Sequence, residues 1–166
     1  MRILIVEDNP ADRELLVFTL QEHWKTEAKF REAHDLKAAH GYLQRGGVDA
    51  VVLDLQLPDS TGWDTFARVH KAYPNLPIIV VTHNINLDLA VTLIEQGAED
   101  VIVKDFTNTI VLFRRILFAV KRGIRNQALW MTEPPPPMTE TEPPELVEAG
   151  PDTLPSTREP GAGDRT

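Results

Sequence analysis

Asp49-Ala50-Val51-Val52-Leu53-Asp54-Leu55-Gln56-Leu57-Pro58-Asp59 decides how the rest of this chain is read. An apolar run, Ala50 to Leu53, ends on a carboxylate, and a turn signalled by Pro58 and then Gly62 follows. A short continuous apolar run bounded by polar and turn residues reads as a strand buried on both faces. Such a strand delivers its last residue to the carboxyl edge of a parallel sheet, where α/β proteins place their ligands. Asp54 is then either a site residue or a merely solvated charge at a strand end, and the flanking segments choose between the two.

Upstream, Ile3 to Val6 is a second apolar run, followed by Glu7-Asp8-Asn9-Pro10. Asn9 suits a helix N-cap and Pro10 the first helical position. Leu15, Leu16, Thr19, Leu20 and His23 or Trp24 recur at helical spacing, which predicts a helix from about Ala11 to about His23. Thr26 to Glu32 alternates weakly, with Ala28 and Phe30 on one side, and reads as an edge strand. Leu36, Ala39, His40 and Leu43 predict a second helix closed by Gly46-Gly47, and the third strand spans Val48 to Asp54.

Downstream, Phe66, Val69 and His70 place a helix over Asp64 to Tyr73. Leu76 to Thr82, with Ile78-Ile79-Val80-Val81 inside it, is the most strand-like run of all. Leu87, Ala90, Val91 and Ile94 predict a fourth helix stopped by Gly97, and Glu99 to Val103 a fifth strand. A fifth helix, Thr107 to Arg125, uses Ile110, Phe113, Ile116, Leu117 and Val120 as its apolar positions. Alternation of strands and helices demands crossovers, hence a parallel sheet covered on both faces. The expected fold is α/β: a doubly wound (βα)5 flavodoxin-like sandwich with a parallel five-stranded sheet in the order 2-1-3-4-5.

Beyond Trp130 the composition changes. Residues 131–166 hold nine of the chain's 13 prolines, eight acids and two bases. Of the formal charge of −8, this leaves only −2 on residues 1–130. A nearly neutral folded part gives no support to direct nucleic-acid binding. The tail cannot bury enough apolar surface to offset its ordering entropy. The expected division is therefore a folded domain over residues 1–125 and a Pro/Glu-rich disordered tail over residues 126–166. There is no cysteine, so disulfides and thiolate metal sites are excluded. No stretch approaches the length of a membrane span, and the reading is a soluble cytoplasmic protein.

The predicted topology converges Glu7, Asp8, Asp54, Thr82 and Lys104 on one crevice. Carboxylates crowded together resist full ionisation, and a hard divalent cation relieves this. Asp8 and Asp54 fit Mg2+ as direct ligands, Gln56 through its backbone carbonyl, and Glu7 through water. A carboxylate beside a metal and a lysine can attack phosphorus to give an aspartyl phosphate. Lys104 and the Thr82 hydroxyl would stabilise the charge on its oxygens.

On these residues, together with Pro58, Gly62 and Gly97-Ala98-Glu99-Asp100, residues 1–125 resemble the receiver domain of two-component response regulators, and of the chemotaxis-receiver-like kind. The resemblance implies a phosphorelay function. Asp54 would be the phosphoacceptor from a sensor histidine kinase or phosphotransfer protein, Asp8 and Glu7 the magnesium pair, Thr82 the signalling hydroxyl and Lys104 the phosphate-sensing base. It implies no enzyme beyond self-phosphotransfer and autodephosphorylation. Gln56, His83 and Asn84 occupy positions expected to tune access to, and water attack on, the phosphoryl group.

Three positions depart from the family, one being His83, which stands where a small residue is usual. Val101 stands where a moving aromatic is usual, so the switch position is altered, and Asp105 rather than proline follows Lys104, which favours a trans bond there. Output is expected through protein partners. Helix five carries a basic stripe, Arg114, Arg115, Lys121, Arg122 and Arg125, and more apolar surface than one sheet-facing stripe needs. That surplus suggests an interface, and the resemblance implies the helix-four to helix-five face as the partner surface, with a homodimer one form of it. The alternatives are a receiver-like scaffold that does not switch, and an aspartyl-nucleophile phosphatase, against which Gln56 stands where a second aspartate is usual.

Overall fold

The computed structural model describes residues 1–24, 28–83 and 85–132, with side chains as far as Leu129. The elements run β1 (Arg2–Val6), α1 (Pro10–Trp24), β2 (Lys29–Ala33), α2 (Leu36–Gln44), β3 (Ala50–Leu53), β4 (Gln56–Leu57), β5 (Ser60–Thr61), α3 (Trp63–Ala72), β6 (Ile78–Thr82), α4 (Leu87–Glu95), β7 (Asp100–Val103) and α5 (Thr109–Thr132). A short 3-10 turn, Phe106–Asn108, leads into α5.

The main sheet has the order β2-β1-β3-β6-β7 and every pairing in it is parallel. This is the expected 2-1-3-4-5 sheet, with two extra short strands in its numbering. Pro58 and Gly62 predict a plain turn after Asp54. It is a ribbon instead: Gln56 pairs with Thr61 and Leu57 with Ser60, with Pro58 and Asp59 at the bend. Gly62 follows at φ 59°, a left-handed conformation that favours glycine, and its N–H donates to the Leu55 carbonyl at 2.8 Å.

Period-2 alternation sends successive strand residues to opposite faces. Ile3, Ile5, Ala50, Val52, Ile79 and Val81 enter one core with Leu16 and Leu20 of α1 and Leu112 and Ile116 of α5. Leu4, Val6, Val51, Leu53, Ile78 and Val80 enter the other with Ala39 of α2, Phe66 and Val69 of α3 and Leu93 of α4. Both faces are covered, which is why these strands read as continuous apolar runs.

The inner face of α4 differs from the expected one, and that of α5 in one position. In α4, Leu93 is the buried residue, with Leu89 packed beside it, whereas the expected Leu87, Val91 and Ile94 are exposed, Leu87 by 77%. The helix is apolar on nearly every side, so spacing alone could not choose its inner face. In α5 the expected Phe113, Ile116 and Val120 are buried and Leu117 packs beside them, but Leu112 is buried too and the expected Ile110 is exposed. α5 also continues to Thr132, seven residues past the boundary expected at Arg125. The rest of the tail, residues 133–166, lies outside the described residues.

Candidate functional site

Three backbone hydrogen bonds carry the ladder one residue past the strand ends. The Glu7 N–H donates to Ala33 O at 3.0 Å, the Asp54 N–H to Val6 O at 2.9 Å, and the Lys104 N–H to Thr82 O at 2.9 Å. The sheet thus fixes the backbone of each charged residue before its side chain turns into the crevice. Across the edge, Asn9 caps α1, its Oδ1 accepting from the Ala11 N–H at 2.9 Å and the Asp12 N–H at 3.4 Å. This cap sets the first turn so that Asp12 faces the same crevice.

A cleft of about 410 Å3 opens there. Glu7, Asp8, Asp54, Gln56, Thr82, His83 and Lys104 line it, joined by Asn9 and Asp12. A larger groove of about 680 Å3 runs along α1. Its charges include Arg13 and Glu32, which pair with each other at 3.4 Å, and it holds no comparable convergence of carboxylates. The chemistry belongs to the smaller cleft.

Lys104 is its centre. The Nζ atom, fully buried, lies 2.5 Å from Glu7 Oε2, 2.6 Å from Asp54 Oδ2 and 3.2 Å from Asp12 Oδ2. Contact with Glu7 is an ion pair rather than a well-directed hydrogen bond. The other Asp54 oxygen, Oδ1, accepts from the Gln56 N–H at 3.0 Å. Glu7 Oε1 accepts from the Asn9 N–H at 3.2 Å. Glu7, Asp8 and Asp54 each bring a carboxylate oxygen to within 4.8 Å of the others. Such a set of hard oxygen donors fits a divalent cation of the magnesium type.

Burial raises the Glu7 carboxyl to about pKa 7, helped by the Asp54 charge and opposed by Lys104. In Lys104, burial works to lower the ammonium, but the bonds to Asp54 and Glu7 outweigh it and hold the group above its ordinary value. For Asp12, burial pushes upward, yet the hydrogen bonds from His83 and Lys104 win and keep its carboxyl below the usual range. The cleft is therefore a charged cluster stabilised around one ammonium.

The match to known proteins follows this geometry. Residues 3–115 match the model of the response regulator receiver domain. This chain belongs to that family. The receiver domain is 33% identical over 103 residues to the response regulator protein PilR of Pseudomonas aeruginosa, covering 62% of this chain and 22% of PilR. It is 33% identical over 125 residues to the transcriptional regulatory protein CusR of Escherichia coli K12, covering 74% of this chain and 52% of CusR. It thus spans about half of CusR and under a quarter of PilR. In fold it resembles the CheY-like receiver domain protein from Methanospirillum hungatei JF-1, with TM-score 0.62 and 23% identity over 77% of this chain and 96% of that one. Receiver domains are signalling modules of two-component systems. Among the described residues, no helix is long and apolar enough to cross a membrane.

Within the receiver domain, the expected residues are brought together with three qualifications. Val101 does not line the cleft; it is half-buried and packs on the core beneath α4. Asn84 lies outside the described residues. The bond after Lys104 is trans, as expected for a residue other than proline. Sequence reasoning missed Asp12, although it lies one helical turn beyond Asp8 in a capped helix. That spacing places it at the same edge.

Proposed function

We propose that this receiver domain accepts a phosphoryl group on Asp54 from a histidine kinase or phosphotransfer protein, and that it signals through protein–protein interaction. The observation that carries this reading is the placement of Asp54 against Lys104 in a cleft that also holds Thr82 and the Glu7, Asp8 and Asp54 oxygens. A carboxylate oxygen of Asp54 would attack phosphorus as the phosphorus–nitrogen bond of a phosphohistidine breaks and its electron pair returns to the imidazole. Lys104 and the buried Thr82 hydroxyl would stabilise the phosphoryl oxygens. Asp8, Asp54 and the Gln56 carbonyl would hold magnesium, with Glu7 acting through water. When bound, the ion supplies positive charge against the crowded carboxylates and the transferring phosphoryl group.

The test is incubation of the full chain with acetyl phosphate and magnesium, read by intact mass and by peptide mapping. One phosphoryl group on Asp54, absent from Asp54→Asn, is expected. No adduct, or an adduct that persists in Asp54→Asn, overturns the reading.

Val101 favours a second reading, a receiver scaffold that binds partners without switching. A half-buried valine cannot move a ring between exposed and buried positions. Phosphorylation at Asp54 with no change in the amide spectrum of α4 and β7 would support it.

A further inference from the structure

Asp12 has no part in the chemistry set out above, yet it touches the centre of the cleft. Its side chain is 11% exposed. A single oxygen, Oδ2, meets both Lys104 Nζ at 3.2 Å and His83 Nε2 at 2.5 Å. The His83 side chain is 60% exposed at the mouth of the cleft and follows Thr82 directly in the chain.

We propose that Asp12 is a positioning residue that competes with the phosphoryl group for Lys104, and that His83 sets the strength of that competition. The proposal rests on Asp54 as phosphoacceptor. An ammonium has three N–H donors. In this structure Asp54 and Asp12 take two of them and Glu7 crowds the ammonium as an ion pair, so a phosphoryl oxygen can approach Lys104 only as one of the three carboxylates gives way. Asp54 becomes bonded to the phosphoryl group itself and stays in place. Glu7 is buried against Lys104 at 2.5 Å. Asp12 makes the longest of the three contacts, and the same oxygen that meets Lys104 is also held by His83, which would retain it when Lys104 turns away.

Charge argues the same way. Four carboxylates line the cleft with Lys104, and Asp12 is the one used neither as phosphoacceptor nor in the Glu7, Asp8 and Asp54 oxygen cluster. Its charge therefore opposes an incoming phosphoryl anion while it attracts a cation. Removing that charge must move anion and cation binding in opposite directions. A side chain that merely held the fold would move both the same way.

The decisive experiment compares wild type with Asp12→Asn, which keeps the shape and removes the charge. Calorimetry would measure beryllofluoride binding at saturating magnesium, and magnesium binding alone. Thermal unfolding would confirm that both chains are folded. Beryllofluoride is expected to bind roughly three- to thirtyfold more tightly to Asp12→Asn, and magnesium more weakly, as expected for one unit charge a few ångströms away at a partly exposed site. His83→Ala should weaken beryllofluoride binding in the wild-type background, because Asp12 is then left to Lys104. In the Asp12→Asn background the same change should lose that coupling.

Equal or weaker beryllofluoride binding by folded Asp12→Asn overturns the proposal while leaving the Asp54 reading intact. An equal effect of His83→Ala in both backgrounds removes His83 from it. A wild-type chain that binds no beryllofluoride overturns the Asp54 reading, and this proposal with it.

Discussion

At the carboxyl edge of the sheet, Glu7, Asp12 and Asp54 are held within 3.2 Å of one lysine nitrogen. On the surface of α4 and α5, Leu87, Val91, Ile94, Ile110, Val111 and Phe118 are exposed, and the strand beside them carries Val101 and an exposed Val103. The first region is specified contact by contact, and each group there has a named partner. Its energetics depend on complete pairing in a poorly solvated place, where an unpaired charge is costly. The second region is specified only by composition: apolar area in excess of what the core needs. The cleft therefore tolerates little substitution, while an apolar surface can change its residues and keep its character.

Even the basic stripe of α5 divides along this line. Arg115 bonds Asp100 at 2.9 Å and the Val101 carbonyl at 3.1 Å. Arg122 bonds the Glu99 carbonyl at 2.7 Å. These two arginines fasten α5 to β7 and its approach. The stripe is thus partly structural, which its spacing in the sequence did not reveal.

The sharpest test of the contrast is Lys104→Met. Without the ammonium, three carboxylates face one another, and urea unfolding in the absence of metal should show a loss of about 3 kcal/mol. The loss should shrink at acidic pH, where Glu7 takes up a proton. An unchanged midpoint would mean that the cluster is solvated and the contrast false.

Glu7→Gln probes the same cluster by its pH dependence. The Glu7 carboxyl sits at about 7 in the folded chain against 4.5 for the free group, so the folded state binds more protons between those values. Its contribution to stability is therefore full below about pH 4.5, falls as pH rises through 7, and is flat above. Metal-free wild type should show that decline in urea midpoint, and Glu7→Gln should lose it. An identical slope in both chains would place the titration elsewhere.

The lifetime of the phosphoryl group comes next. Gln56 is a neutral amide and so a poor base for an attacking water, and His83 crowds the cleft mouth with its Nε2 held by Asp12. The label on Asp54 is expected to persist for minutes, followed by loss of radioactive phosphate; decay within seconds to a minute would contradict it.

Phe118→Ser should have the smallest effect on the fold. Phe118 is 56% exposed, so its unfolding free energy should stay within about 0.5 kcal/mol of wild type. If the α4 and α5 surface is an interface between copies, sedimentation should show weaker self-association in this variant. A monomer at every concentration, with and without beryllofluoride, would count against homodimerisation.

Local pattern determined the five alternating units, the buried strands and the strand-end positions of Glu7, Asp54, Thr82 and Lys104, because a parallel strand buried on both faces leaves little freedom in where it ends. The Asn9 cap of α1 was legible for the same local reason. Only tertiary structure decided the inner face of α4, since a helix apolar on most sides has no preferred face until it docks. The reach of α5 to Thr132 was equally hidden, because helix ends depend on what packs against them. The place of Asp12 in the first turn of the capped helix was legible, but its contacts were not. Its partners Lys104 and His83 lie 92 and 71 residues away, and no periodicity spans that distance. The sheet brings the strand ends together, and the α1 cap then turns a carboxylate toward them.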